Sequence, residues 1–221
     1  EFIWNEFMLV FIGITIAIIL NLFHLNESNK KEIIRNMRYT EERLQSILKE
    51  IAFFLYEEDS SEHRKVWEEI EALENMLQIF VGEACEYQGN TFVSHPQYYI
   101  DYFEMRYQQL GILHSLQHEI NRIRTKPQQA KIVADYFVYL SDFVVEVNAP
   151  DEQMIRLMKL FEEFRSQPLP ENREEFESRA ILYHILMDIE DFILFKKRFV
   201  DELDEHKLKL YWKQDKTIMQ K

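Results

Sequence analysis

The chain has 221 residues, is 47% hydrophobic and carries a formal charge of −13, so it can build a real core and is too apolar to be a disordered segment. That charge, with no basic stripe anywhere, argues against a nucleic-acid binder. Four Gly and five Pro are too few for strands and their tight turns, and the fold class expected is all-α.

The first element is the uncharged run FMLVFIGITIAIILNLF, Phe7 to Phe23. As a helix it would span about 26 Å, and Trp4 and Leu25 extend it toward the roughly 30 Å of a bilayer core. It is apolar on every side, unlike an amphipathic core helix, so residues 1–25 are expected to form one transmembrane helix. No basic region precedes it and no small-residue cleavage site follows, which argues against a signal peptide. Lys30, Lys31, Arg35 and Arg38 flank its C-terminal end, and no Lys or Arg precedes it. The positive-inside rule therefore places residues 26–221 on the cytoplasmic side of a cell membrane. A single cysteine, Cys85, fits a reducing compartment and reads as a small core hydrophobe. Because the chain opens on Glu1 rather than Met, the expectation is a piece of a longer protein.

From Asn26 onward the pattern is amphipathic, with Glu27, Ser28 and Asn29 as capping groups. Ile33, Met37, Leu44, Ile47, Leu48, Ile51 and Leu55 trace one helical face to about Glu58. Ser60 or Ser61 can cap the next helix, which carries Val66, Ile70, Leu73, Leu77 and Val81 and ends at Gln88-Gly89-Asn90. The third helix, Pro96 to about Arg124, holds Tyr98, Tyr99, Tyr102, Phe103 and Tyr107. A fourth runs to about Val147, a shorter one covers Asp151 to Arg165, and the last starts near Glu171 with an apolar face from Phe176 to Phe199. Beyond Asp201 the end is expected to fray. Short connections between these helices imply an antiparallel helical bundle.

No glycine-rich phosphate loop, GxSxG elbow or Cys/His pair at catalytic spacing is present, so no enzyme activity and no cofactor is expected. His114 and His118 lie four apart beside Glu119, half of a zinc site at most, and read as surface residues. Asp188, Glu190 and Asp191 read as a solvated face, because His184 stands before Asp188 in the wrong order for the ExxH of a di-iron bundle. Lys196-Lys197-Arg198 is the densest basic run; it reads as a solvated face, or as a contact with anionic lipid if the helix returns to the membrane. Tyr102 and Arg106 share a helical face, a pairing that would suit an aromatic carboxylate, although aromatic stripes of this kind usually form core.

The stretch WNEFMLVFIGITIAIILNLF, followed by KKEIIRNMRYTEERLQSILKEIAFFL, resembles the bacterial aromatic acid exporter family of fusaric-acid-resistance type. In that family a multi-span membrane domain ends in a helix of related pattern, matched here at Asn5, Phe7, Met8, Gly13, Ala17 and Asn21. A cytoplasmic helical domain follows it. The resemblance implies that this chain is the last span plus the C-terminal domain of an exporter, with the rest of the membrane domain as partner. One span cannot form a pathway, so this chain alone is not expected to transport. Two functions remain open: an assembly module, docking on copies of itself as a homo-oligomer or on the membrane domain, and a sensor in which Tyr102 and Arg106 bind an aromatic acid and gate efflux.

Overall fold

The computed structural model describes the backbone of residues 2–56, 63–91 and 96–218, and the side chains of these except 2, 3, 5, 17–27, 63–64 and 213–218. Among the described residues there are seven helices and no strand: α1 (Phe2–Tyr56), α2 (His63–Asn90), α3 (Gln97–Ile120), α4 (Gln128–Ser141), α5 (Asp151–Ser166), α6 (Arg173–Asp201) and α7 (Glu205–Ile218). The all-α expectation holds.

The first helix differs from its expectation. Residues 26–29 do not cap a new helix; α1 runs unbroken for 55 residues through them. Ser28 and Asn29 favour helix ends only when their side chains bind local backbone, and helical residues on both sides carry the ladder through. Among the described residues no helix is long and apolar enough to cross a membrane. The side chains of 17–27, part of the expected span, lie outside the described residues, as do Ser60 and Ser61. Trp4, Phe7, Leu9, Phe11 and Ile14 are all exposed, Trp4 by 68%.

Beyond Ile33 the apolar stripe of α1 is buried and forms the spine of the core. Its neighbours are α4 on one side and α2 on the other; α3 packs on α2, α6 on α3, and α4 on α6, closing a ring against which α5 leans from outside through α6. Contacts step in opposite directions along each pair. Asn36 meets Glu83 while Arg43 meets Glu69, and Tyr87 meets Tyr99 while Gln78 meets Tyr107. Tyr56 meets Asp135 while Gln45 reaches Val144, and Tyr98 meets Phe199 while Gln109 reaches Phe192. These pairs are therefore antiparallel. Chain order does not set the neighbours throughout, since α4 passes over α3 to pack on α1.

Helix ends show what local signals could and could not give. At α6, Asn172 accepts from the backbone of Glu175, whose carboxylate reaches back to the amide of Glu171, a reciprocal cap readable from sequence. By contrast α4 stops at Ser141, six residues before the expected end. The carbonyls released there find distant donors: Gln45 of α1 donates to Val144 and Lys196 of α6 to Glu146. Phe176, expected on the buried face of α6, is 59% exposed, and Cys85 is exposed rather than core. The expected fraying beyond Asp201 is replaced by α7, whose Tyr211 stacks on Tyr98 with centroids 3.8 Å apart.

Candidate functional site

Tyr102 and Arg106 face the centre of the bundle, where they are 0% and 1% exposed. One turn apart on α3, they stack as a cation–π pair with the guanidinium 5.1 Å from the ring centroid. The Tyr102 hydroxyl donates to Glu41 Oε1 of α1 at 2.9 Å and accepts from Arg106 Nε at 3.2 Å. Arg106 Nη1 donates to Gln109 Oε1 at 2.8 Å, and Gln109 in turn donates to the Phe192 carbonyl of α6. Arg106 Nη2 lies 3.5 Å from Glu41 Oε1 without making a hydrogen bond.

Glu41 is also held by Arg38 at 2.8 Å, and Arg38 bridges onward to Glu146 at 2.7 Å. Glu146 accepts from the Tyr98 hydroxyl at 2.5 Å, and its backbone carbonyl accepts from Lys196 Nζ at 2.7 Å. The result is one buried network joining α1, α3, α6 and the segment after α4, with Arg38, Arg106 and Lys196 set against Glu41 and Glu146. Such groups stay buried only when paired and hydrogen-bonded. Burial and the adjoining Glu146 hold the Tyr98 hydroxyl well above the ordinary tyrosine range, and burial does the same for Tyr102. Both therefore remain donors.

Lys196, expected in a solvated basic run, is 4% exposed. Its neighbours go elsewhere: Lys197 pairs with Asp151 at 2.7 Å, and Arg198 lies over the Phe195 ring. Burial, then Arg106, holds the Lys196 ammonium well below its usual value; Arg38 adds to this, while Glu41 and Glu146 pull the other way. Below that depressed value both folded and unfolded chains are protonated, and the full cost of burying the charge is present. Between it and the unfolded value of 10.5 the unfolded chain holds a proton that the folded chain has shed. Stability therefore rises with pH in that window, by at most about 1.4 kcal/mol per pH unit. Urea midpoints taken upward to about pH 10, where unfolded tyrosines begin to titrate, should show this rise, and Lys196→Met should flatten it.

The other sequence candidates separate. His114 lies 3.5 Å from Glu74 of α2, and His118 is exposed, so the two do not converge. Asp188 leaves its expected partners: Asp191 is exposed, whereas Asp188 gathers with His184 and with Glu119 of α3. Sequence spacing missed this trio because Glu119 comes from a different helix.

The described residues form an all-helical bundle crossed by buried ion pairs, and the first helix carries exposed apolar side chains from Trp4 to Ile16. The chain belongs to the family described as "Putative aromatic acid exporter C-terminal domain", which matches residues 30–197. This is the family indicated by the resemblance, although the match lies on the helical domain rather than on the apolar segment where the resembling motif is densest. It is a transporter-associated domain, not an enzyme family. The chain is 28% identical over 200 residues to "Uncharacterized protein YqjA" of Bacillus subtilis (strain 168), covering 90% of this chain and 60% of that protein. It thus spans about 60% of that relative's length. A crystal structure of a putative membrane protein from Clostridium difficile 630 shares the fold, with a TM-score of 0.65 at 22% identity over 76% of this chain and 97% of the other.

Proposed function

We propose that this chain is the assembly module of a membrane-embedded aromatic acid exporter, held at the cytoplasmic face by a spanning helix within residues 1–25. The observation that carries this reading is α1. Its C-terminal half is the spine of the bundle, while Trp4 to Ile16 carry large apolar side chains that are exposed to about half or more. An apolar surface of this size requires a partner or lipid to cover it. An unbroken helix joins that surface to the core, so the bundle and whatever covers the apolar half are mechanically coupled.

The second reading, an aromatic-acid sensor built on Tyr102 and Arg106, has one feature in its favour: Arg106 Nη2 makes no hydrogen bond, leaving a donor for a carboxylate. Against it, both side chains are sealed and their other donors are engaged. A thermal melt of the full chain in detergent, with a panel of aromatic carboxylates, separates the readings. A ligand at a hundredfold its dissociation constant stabilises by about 2.7 kcal/mol, worth roughly 5–10 °C in a domain of this size. The expected result is no shift across the panel, together with a discrete oligomer by light scattering. A shift for one compound that disappears in Arg106→Lys would instead establish the sensor, and a strict monomer would sink the assembly reading.

A further inference from the structure

We propose that Glu119, His184 and Asp188 form a binding site for a divalent transition-metal cation of the zinc class, clamping α3 to α6. His184 and Asp188 lie one turn apart on α6 and therefore point the same way; Glu119 meets them from the last turn of α3. One ligand atom from each lies within 4.8 Å of the others. His184 Nδ1 is 2.5 Å from Glu119 Oε1 and 3.8 Å from Asp188 Oδ2. Ligands at about 2.1 Å from a tetrahedral zinc ion stand about 3.4 Å apart, and the observed separations bracket that value, so small side-chain rotations would suffice.

The donor set selects the ion. One imidazole with two carboxylates suits zinc-class cations, whereas calcium and magnesium take oxygen ligands alone. Glu119 Oε2 is buried with no hydrogen-bond partner, a lone carboxylate oxygen that a cation would satisfy. Burial and the Asp188 carboxylate raise the Glu119 carboxyl above its ordinary range, and burial raises that of Asp188. Arg122 is the neighbouring charge that opposes a cation at Glu119. His184 is 58% exposed and lines a groove of about 630 Å³ with Asn121, Arg122, Phe176 and Ala180. An ion there has an entry path and open positions for water, and three protein ligands are the usual complement of a zinc site that keeps a fourth position open.

The test uses the full chain in detergent, stripped with chelator and then titrated calorimetrically with Zn²⁺, with Co²⁺ as a visible-absorption probe of coordination. One ion per chain is expected, with the Co²⁺ d–d bands of a low-coordinate site and no comparable binding of Mg²⁺. His184→Ala and Asp188→Asn should each weaken Zn²⁺ binding at least about tenfold, since even residues that only orient metal ligands are worth that much. Asp191→Asn, an exposed change on the same helix, should leave it unaltered. Metal-free melts of all three variants should match the parent, so that weakened binding is not mistaken for unfolding. The proposal is overturned if Zn²⁺ does not bind at micromolar concentration, if Mg²⁺ binds as well, or if the His184 and Asp188 variants bind as the parent does.

Discussion

Glu41→Ala is expected to destabilise the bundle by about 3–5 kcal/mol, the usual cost of removing one member of a buried ion pair. Glu41 accepts from Tyr102 and Arg38 and is the nearest anion to Arg106. Without it, a fully buried guanidinium keeps only Gln109 and the Tyr102 oxygen as acceptors. At about 2–4 °C per kcal/mol for a domain of this length, the melting temperature should fall by roughly 10 °C. Glu41→Gln keeps an acceptor for Tyr102 and loses only the charge, so its loss should be smaller. Urea denaturation of the three proteins checks the order. A loss below about 1 kcal/mol for Glu41→Ala, the scale of a surface ion pair, would mean that the network is hydrated rather than sealed.

Ser28→Pro carries the largest expected functional effect. Ser28 is an exposed residue inside α1, and proline there removes a backbone hydrogen bond and clashes with the preceding turn, at about 3 kcal/mol or more to the helix. The core begins at Ile33, so the bundle should keep its own melting transition while the rigid link to the apolar half breaks. Under the proposed function, a full-length exporter carrying the change should reach the membrane yet lose its oligomeric state and its protection of cells against aromatic acids. Ser28→Ala should be silent, since alanine is the best helix former. If the proline variant assembles and exports normally, α1 continuity has no part in coupling.

Much of the fold was legible because helical burial is periodic. Ile33, Met37, Leu44 and Leu48 on α1, and Val66, Ile70, Leu73 and Leu77 on α2, fall on one helical face by spacing alone and are buried. Where reading failed, a distant partner had overridden a local rule. Lys196 looked solvated beside Lys197 and Arg198, but the carbonyl it binds is fifty residues away in sequence. The end of α4 was misplaced because the donors that satisfy Val144 and Glu146 lie on α1 and α6. Phe176 continues an apolar pattern, yet lies in an open groove and is largely exposed.

The candidate sites divide in the same way. Tyr102 and Arg106 were picked out as a pair by their i, i+4 spacing, which fixes that they share a face. Spacing cannot say what stands opposite that face, and Glu41, 61 residues away from Tyr102, was not a candidate. The cluster of Glu119 with His184 and Asp188 depends on where α3 crosses α6. By itself the sequence determined the helical class, most helix positions and the apolar first segment, which follow from local periodicity and composition, while the family came from the resemblance of its motifs. Only the tertiary structure decided which helices are neighbours, which charges are buried, and which carboxylates meet a histidine, because those depend on contacts between residues that the chain keeps far apart.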